Sequence, residues 1–254
     1  MSRRLPHQTL DVALVAVALL LLWYGLSLLI GTATVPSPLQ AAQQLWKLLW
    51  QTRFQRDLAA TAQAYGLSLL FAMAGGLALG ILCGGWRAIG QQIEPVMLVL
   101  IATPKVMLYP LILLFFGLGD AAKIIFGLLH GLPPVVIMTA NALRTIPPIY
   151  RKAARTLRMS NWAFAVDVLV PAVLPEIIAS FRVCFSLTLL GVLVGEMFAS
   201  TRGLGHLLIA SIGTNDQPTI MAITLLLFAF AGIGSSVLLA LSGRSQRAEP
   251  PMRA

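Results

Sequence analysis

Six stretches of this chain run apolar for about twenty residues or more, at 11–30, 61–85, 94–116, 121–143, 172–199 and 218–241. A helix rises 1.5 Å per residue, so roughly 20 apolar residues are what crosses a hydrocarbon layer about 30 Å thick. Only 11% of the residues are charged, where a soluble domain carries about 25%. The pattern predicts an all-α integral membrane protein, a single transmembrane domain over residues 1–254 with six transmembrane helices. The basic N-terminus followed by an apolar run has the look of a signal peptide. Val12 to Ile30 is too long for that, and no small-residue cleavage pattern follows, so a retained span is expected. The net charge of +9 does not point to nucleic acid, because Lys and Arg sit between apolar runs rather than along a polar face.

Six spans place both termini on one side. That side then collects Arg3, Arg4, Arg87, Arg144, Arg151, Lys152, Arg155, Arg158, Arg244, Arg247 and Arg253, against Lys47, Arg53, Arg56, Lys123 and Arg202 on the other. Basic residues favour the cytoplasmic side, so both termini are expected in the cytoplasm. The segment 31–60 then lies outside. Leu39, Leu45, Leu48 and Leu49 recur there at helical spacing beside Trp46 and Trp50, as in an interfacial helix.

Pro104, Lys105 and Pro110 interrupt the third stretch, which suits a buried kink or the lining of a pathway better than a lipid-facing helix. Lys105 and Tyr109 are candidate pathway residues. Lys105 either meets an anionic substrate or caps, pairs or snorkels locally. Glu196, before Ser200-Thr201-Arg202-Gly203-Leu204-Gly205, is either an outer gate or binding-protein contact or a solvated helix end. Glu176 and Arg182 are too far apart for a pair on one helix, and a salt bridge to another span or to the loop before them is expected.

Gly76, Gly80 and Gly84, Gly127 and Gly131, and Gly191 and Gly195 recur every four residues. Such spacing lets helices approach closely, either within one subunit or at a dimer contact. Cys83 and Cys184 lie inside apolar runs and are expected to pack as small hydrophobes. His130 and His206 have no partner at metal or catalytic spacing and read as packing or boundary residues. No nucleophile, base or phosphate-binding loop is spelled out, so no catalysis, metal or cofactor is expected within the chain.

The longest polar interruption runs from 144 to 171. Ala153, Ala154 and Leu157 fall on one side of a short helix, with Arg151, Arg155 and Arg158 elsewhere. Ser160 is a good N-cap for a second helix whose apolar surface is Trp162, Phe164, Ala165 and Val168, and Pro171 and Pro175 mark the start of the fifth span. Two short helices with a basic edge form a docking surface.

That stretch resembles the coupling loop of the membrane subunits of bacterial ABC importers, whose pattern is Glu-Ala-Ala, three residues, Gly, nine residues, Ile, one residue, Leu-Pro. The register falls on Lys152, Ala153, Ala154, Arg158, Val168, Val170 and Pro171. Lys152 and Arg158 depart from the pattern, where the family has an acid and a Gly. Residues 103–124, 174–183 and 195–211, and Ser37 with Pro38, are similar to the subgroup that imports nitrate, sulfonates, taurine and related molecules. The resemblance implies a MetI-like fold with the coupling-helix loop between the fourth and fifth spans, in a bacterial inner membrane. It further implies a pathway formed with a second permease subunit, as a homodimer, and two ATP-binding subunits that carry the ATP and magnesium. An extracytoplasmic binding protein would deliver the solute. Two other classes compete. An ion-coupled carrier would need intramembrane acids, which are few here, or an inverted repeat, which the sequence does not display. A scaffold that only anchors a partner would transport nothing.

Overall fold

In hydrocarbon, backbone N–H and C=O groups must be satisfied within the segment, so uninterrupted apolar runs become helices. The computed structural model describes residues 5–245 and shows helices with no strand among them. The order is α1 (Leu5–Ile30), α2 (Pro38–Leu49), α3 (Thr52–Gly85), α4 (Arg87–Ala102), a 3-10 turn (Lys105–Leu108) and α5 (Tyr109–Phe116). Then follow α6 (Asp120–Arg144), α7 (Pro148–Thr156), α8 (Asn161–Phe164), a π turn (Ala165–Leu169), α9 (Val170–Ala199), α10 (Leu204–Gly213) and α11 (Gln217–Ser245). Arg3, Arg4, Arg247 and Arg253 lie outside the described residues, as do the side chains of Arg151 and Arg244.

Four helices are long and apolar enough to cross a membrane, Thr52–Gly85, Asp120–Arg144, Trp162–Phe198 and Gln217–Leu239. The expected third span is instead a bent pair, Arg87–Ala102 and Lys105–Phe116, meeting at 103°. Counting that pair as one span gives five. In α1 the apolar stretch among described side chains is Val17–Ile30, so the described residues do not by themselves count six.

Two compact units divide the chain, one up to residue 56 together with 207–229, the other 57–206 with residues from 230 onward. In the first, the Trp23 indole N–H donates to Pro36 O at 3.0 Å and the Ser27 hydroxyl to Val35 O at 2.7 Å, turning residues 31–37 back on α1. Ser37 then opens α2 with a capping box, its hydroxyl accepting from Gln40 N–H while the Gln40 side chain accepts from Ser37 N–H. Ala41 and Leu48 of α2 are buried, and Gln44 donates to Thr219 at 3.2 Å. Leu39, Trp46 and Trp50 are exposed, the two indoles packed edge to face.

The second unit is built on α3, α6 and α9, and its glycines settle the packing question. A Cβ on Gly80 would lie 2.6 Å from Thr139 Cβ of α6, and one on Gly76 2.7 Å from Val135 Cβ. Gly84 meets Leu143. Gly127 and Gly131 face Ser68 and Ala72 of α3 together with Val192, Cys184 and Thr188 of α9, and Gly191 and Gly195 face Phe126, His130 and Lys123. All seven therefore bring helices of the same chain together, and none is left over for a dimer contact. Around them Ala72, Val135 and Cys184 form one buried cluster, and Cys83, Val136 and Ala140 another. Both cysteines are free and packed as small hydrophobes.

Candidate functional site

Three features of the second unit bear on function. The first is the break between α4 and α5. A residue before proline is pushed to extended backbone, and Thr103 takes ψ 134 before Pro104, ending α4. Pro110 supplies the preset φ that suits the first turn of a helix, at the start of α5. Lys105 sits half-buried on the intervening turn and forms no ion pair among the described residues. Tyr109 directs its hydroxyl to the Phe198 carbonyl, and its ring packs on Phe126 and Phe198 with centroids 5.8 and 5.4 Å away. The hydrophobic cluster beneath is Ile112, Ala122 and Phe126.

The second feature is a buried charge network where α3 and α6 begin and α9 ends. Glu196 has no exposed surface, which overturns the reading of it as a solvated helix end. The Thr61 hydroxyl lies 2.9 and 2.8 Å from its two oxygens, Gly205 N–H donates to Oε2 at 3.0 Å, and Lys123 Nζ lies 3.7 Å from Oε1. Lys123 is itself buried, 3.0 Å from Asp120 Oδ1, so the expected outer-loop cation is an internal counter-charge. Asp120 also pairs with exposed Arg202 at 3.5 Å. Asp57 accepts Gly203 N–H and Thr61 accepts Leu204 N–H, both at 2.8 Å. Three consecutive amides at the start of α10 thus find acceptors on α3 and α9, a cap with two carboxylates at the positive end of a helix. Gly203 stands at φ +123, and a Cβ there would collide with the Glu196 carboxylate.

Sequence reading missed Asp57, Thr61 and Asp120 as members of this cluster. The available signals were the four-residue spacing of Asp57 and Thr61 on one helix face and the three-residue spacing of Asp120 and Lys123.

The third feature is residues 144–171, which lie at the opposite ends of α6 and α9. Arg144 closes α6 by donating to Glu94 at 2.8 Å and to Cys83 O, near the end of α3, at 2.7 Å, a cation at a helix C-terminus. In α7, Lys152, Ala153 and Arg155 are exposed and Ala154 is buried. Leu157 is 72% exposed, so the expected shared side of Ala153, Ala154 and Leu157 is not a buried one. The turn after α7 is a Schellman motif. Met159 N–H bonds Ala154 O at 3.0 Å, Arg158 N–H bonds Arg155 O at 3.1 Å, and Arg158 takes φ +52. Glycine favours that position, and here an arginine occupies it. Ser160 caps α8 as expected, accepting from Ala163 N–H at 3.1 Å. Trp162 and Pro171 are exposed.

The bridge expected for Arg182 and Glu176 is absent among the described residues. Arg182 Nε is buried without a hydrogen-bond partner, and Glu176 is exposed. His130 packs, its Nδ1 2.8 Å from Phe126 O and its ring stacked on Phe126. His206 is half-buried.

Several apolar spans, one of them broken, and an exposed helical loop between α6 and α9 are what a membrane permease requires. The family model described as "Binding-protein-dependent transport system inner membrane component" matches residues 76–248, and the chain belongs to that family. It is similar to a probable ABC transporter permease protein of Haemophilus influenzae, 32% identical over 177 residues, 68% of this chain and 70% of that protein. The nitrate import permease protein NrtB of Synechococcus elongatus is 26% identical over 229 residues, 86% of this chain and 82% of that one. The taurine transport system permease protein TauC of Escherichia coli is 26% identical over 205 residues, 78% and 74% of the two chains. The fold matches a chain of the inward-facing MetNI methionine ABC transporter, with TM-score 0.55 and 18% identity over 83% of this chain and 96% of that one. It also matches a chain of a bacterial alginate ABC transporter in complex with a periplasmic protein, with TM-score 0.59 and 14% identity over 96% of each. The protein is the multi-pass membrane permease of an ABC importer.

Proposed function

We propose that this permease, as a homodimer in a bacterial inner membrane with both termini cytoplasmic, forms the pathway for a small solute of the nitrate, taurine or sulfonate kind. A periplasmic binding protein delivers the solute, and two separate ATPases carry the ATP and magnesium. The chain has no nucleotide-hydrolysing site of its own, and no nucleic acid is a partner.

The observation that carries this reading is the loop 144–171. Its Schellman turn and Ser160 cap give it a defined shape, and Lys152, Arg155 and Arg158 stand out from it beside exposed Trp162. With exposed Ala153 and Pro171 they make a basic surface with an apolar anchor, suited to an acidic groove on an ATPase; Arg151 and Ala154 belong to the same short helix. Such a contact lets the closure of the ATPases pull on α6 and α9 as rigid bodies. The broken span supplies the pathway lining. Lys105 is a cation without an internal counter-charge there, which supports an anionic cargo.

Uptake into proteoliposomes tests the reading. The complex of this chain, its ATPase and its binding protein should accumulate nitrate or taurine only with ATP, and Lys105→Met should raise the KM for the transported anion. Uptake that ignores ATP, or a Lys105→Met variant with parental constants for every anion carried, contradicts it.

A further inference from the structure

Glu196 has no exposed surface, so it does not touch cargo, yet it sits two residues before Phe198. Phe198 is the residue that receives Tyr109, through both its carbonyl oxygen and its ring. Tyr109 in turn follows directly on the 3-10 turn that carries Lys105. The set of the broken span is therefore fixed by where the last turn of α9 stands. That turn is held by Thr61 from α3, Lys123 from α6 and Gly205 N–H from α10, all converging on one carboxylate. Buried charge networks of this kind specify one arrangement, because any displacement leaves an ion unpaired in low dielectric. Asp120, shared between Lys123 and exposed Arg202, gives the network its one edge at the surface.

We propose that Glu196 is a positioning residue of the translocation pathway: its carboxylate, held by Thr61, Lys123 and the Gly205 amide, fixes the end of α9 so that Phe198 holds Tyr109 and the broken span in place. This rests on the reading of the broken span as pathway lining. Glu196 acts on the transported solute through Tyr109, and its effect on transport disappears when Tyr109 can no longer reach Phe198.

The test is thiol labelling of a Leu108→Cys reporter in the full chain, with Cys83 and Cys184 changed to Ala, assembled with its ATPase in nanodiscs. Leu108 is half-buried against the Ile112, Ala122 and Phe126 cluster, so its reaction with a water-soluble methanethiosulfonate reports release of the turn. Glu196→Gln should speed labelling about fivefold, as a coupling between contacting residues predicts. Tyr109→Phe should do the same, and the double variant should exceed neither. Thr61→Val, which removes the hydroxyl that donates to Glu196 and accepts from Leu204 N–H but keeps the charges paired, should speed labelling in the same direction and covers the case in which Glu196→Gln does not fold. Unchanged labelling in both network variants with only a lower unfolding temperature, or effects of Glu196→Gln and Tyr109→Phe that multiply, overturns the proposal. Uptake of nitrate and taurine by these variants and by Lys105→Met separates the two claims. Normal uptake by Lys105→Met and Tyr109→Phe sinks the pathway reading and leaves the labelling result standing.

Discussion

A single ion decides the stability of the network around Glu196. Lys123 and Glu196 are both out of solvent, and removing one partner of a buried pair costs about 3–5 kcal/mol because the other charge is stranded. Lys123→Met is therefore expected to lower the unfolding temperature sharply, and Lys123→Met with Glu196→Gln to regain part of the loss; a thermal melt of the purified protein measures both. Arg158 makes the opposite case. At φ +52 it carries a left-handed strain of about 1 kcal/mol that glycine escapes. Arg158→Gly should raise the unfolding temperature while leaving ATPase assembly intact, since Lys152 and Arg155 keep the basic edge. The two residues also mark how far a sequence can be read. The importer pattern put glycine at position 158, and the Schellman hydrogen bonds show why a left-handed residue belongs there. Glu196 was legible only as an acid near a span end, because two of its partners, Thr61 and Lys123, come from helices far away in sequence.

At the scale of helices, the four-residue glycine spacing was plain, but its partner was not, since spacing specifies a smooth face and not what covers it. The structure covers it with α6 and α9 of the same chain. Gly80→Val would drive a side chain into Thr139 and should cost about 1–3 kcal/mol as overpacking. Size-exclusion profiles should show less folded permease. The break in the third span was legible, because Pro104 pushes Thr103 to extended backbone and ends α4 there. The 103° angle was not, because a proline marks the place of a break and not its size. In the loop, Ser160→Ala should cost about 1 kcal/mol through the lost cap. Faster hydrogen exchange in residues 161–169 would register it, with α9 beyond the π turn unaffected.

For the whole molecule, two regions at opposite ends of α6 and α9 matter most: the buried charge network at one end and the basic loop at the other. Both are fastened to the same pair of helices, packed through Gly127, Gly131, Gly191 and Gly195. Closely packed helices move as rigid bodies, so a pull at the loop is felt at the network. The central claim is that this loop couples the permease to an ATPase. The most direct measurement is ATP hydrolysis by the complex in nanodiscs, with and without solute-loaded binding protein, for the parent and for Lys152→Glu. The ATPase should co-purify with the parent, and charge reversal should cut stimulated hydrolysis at least about tenfold, as like charges meeting at an interface require. Co-purification and stimulation identical in parent and Lys152→Glu, or no ATPase bound to either, would contradict it.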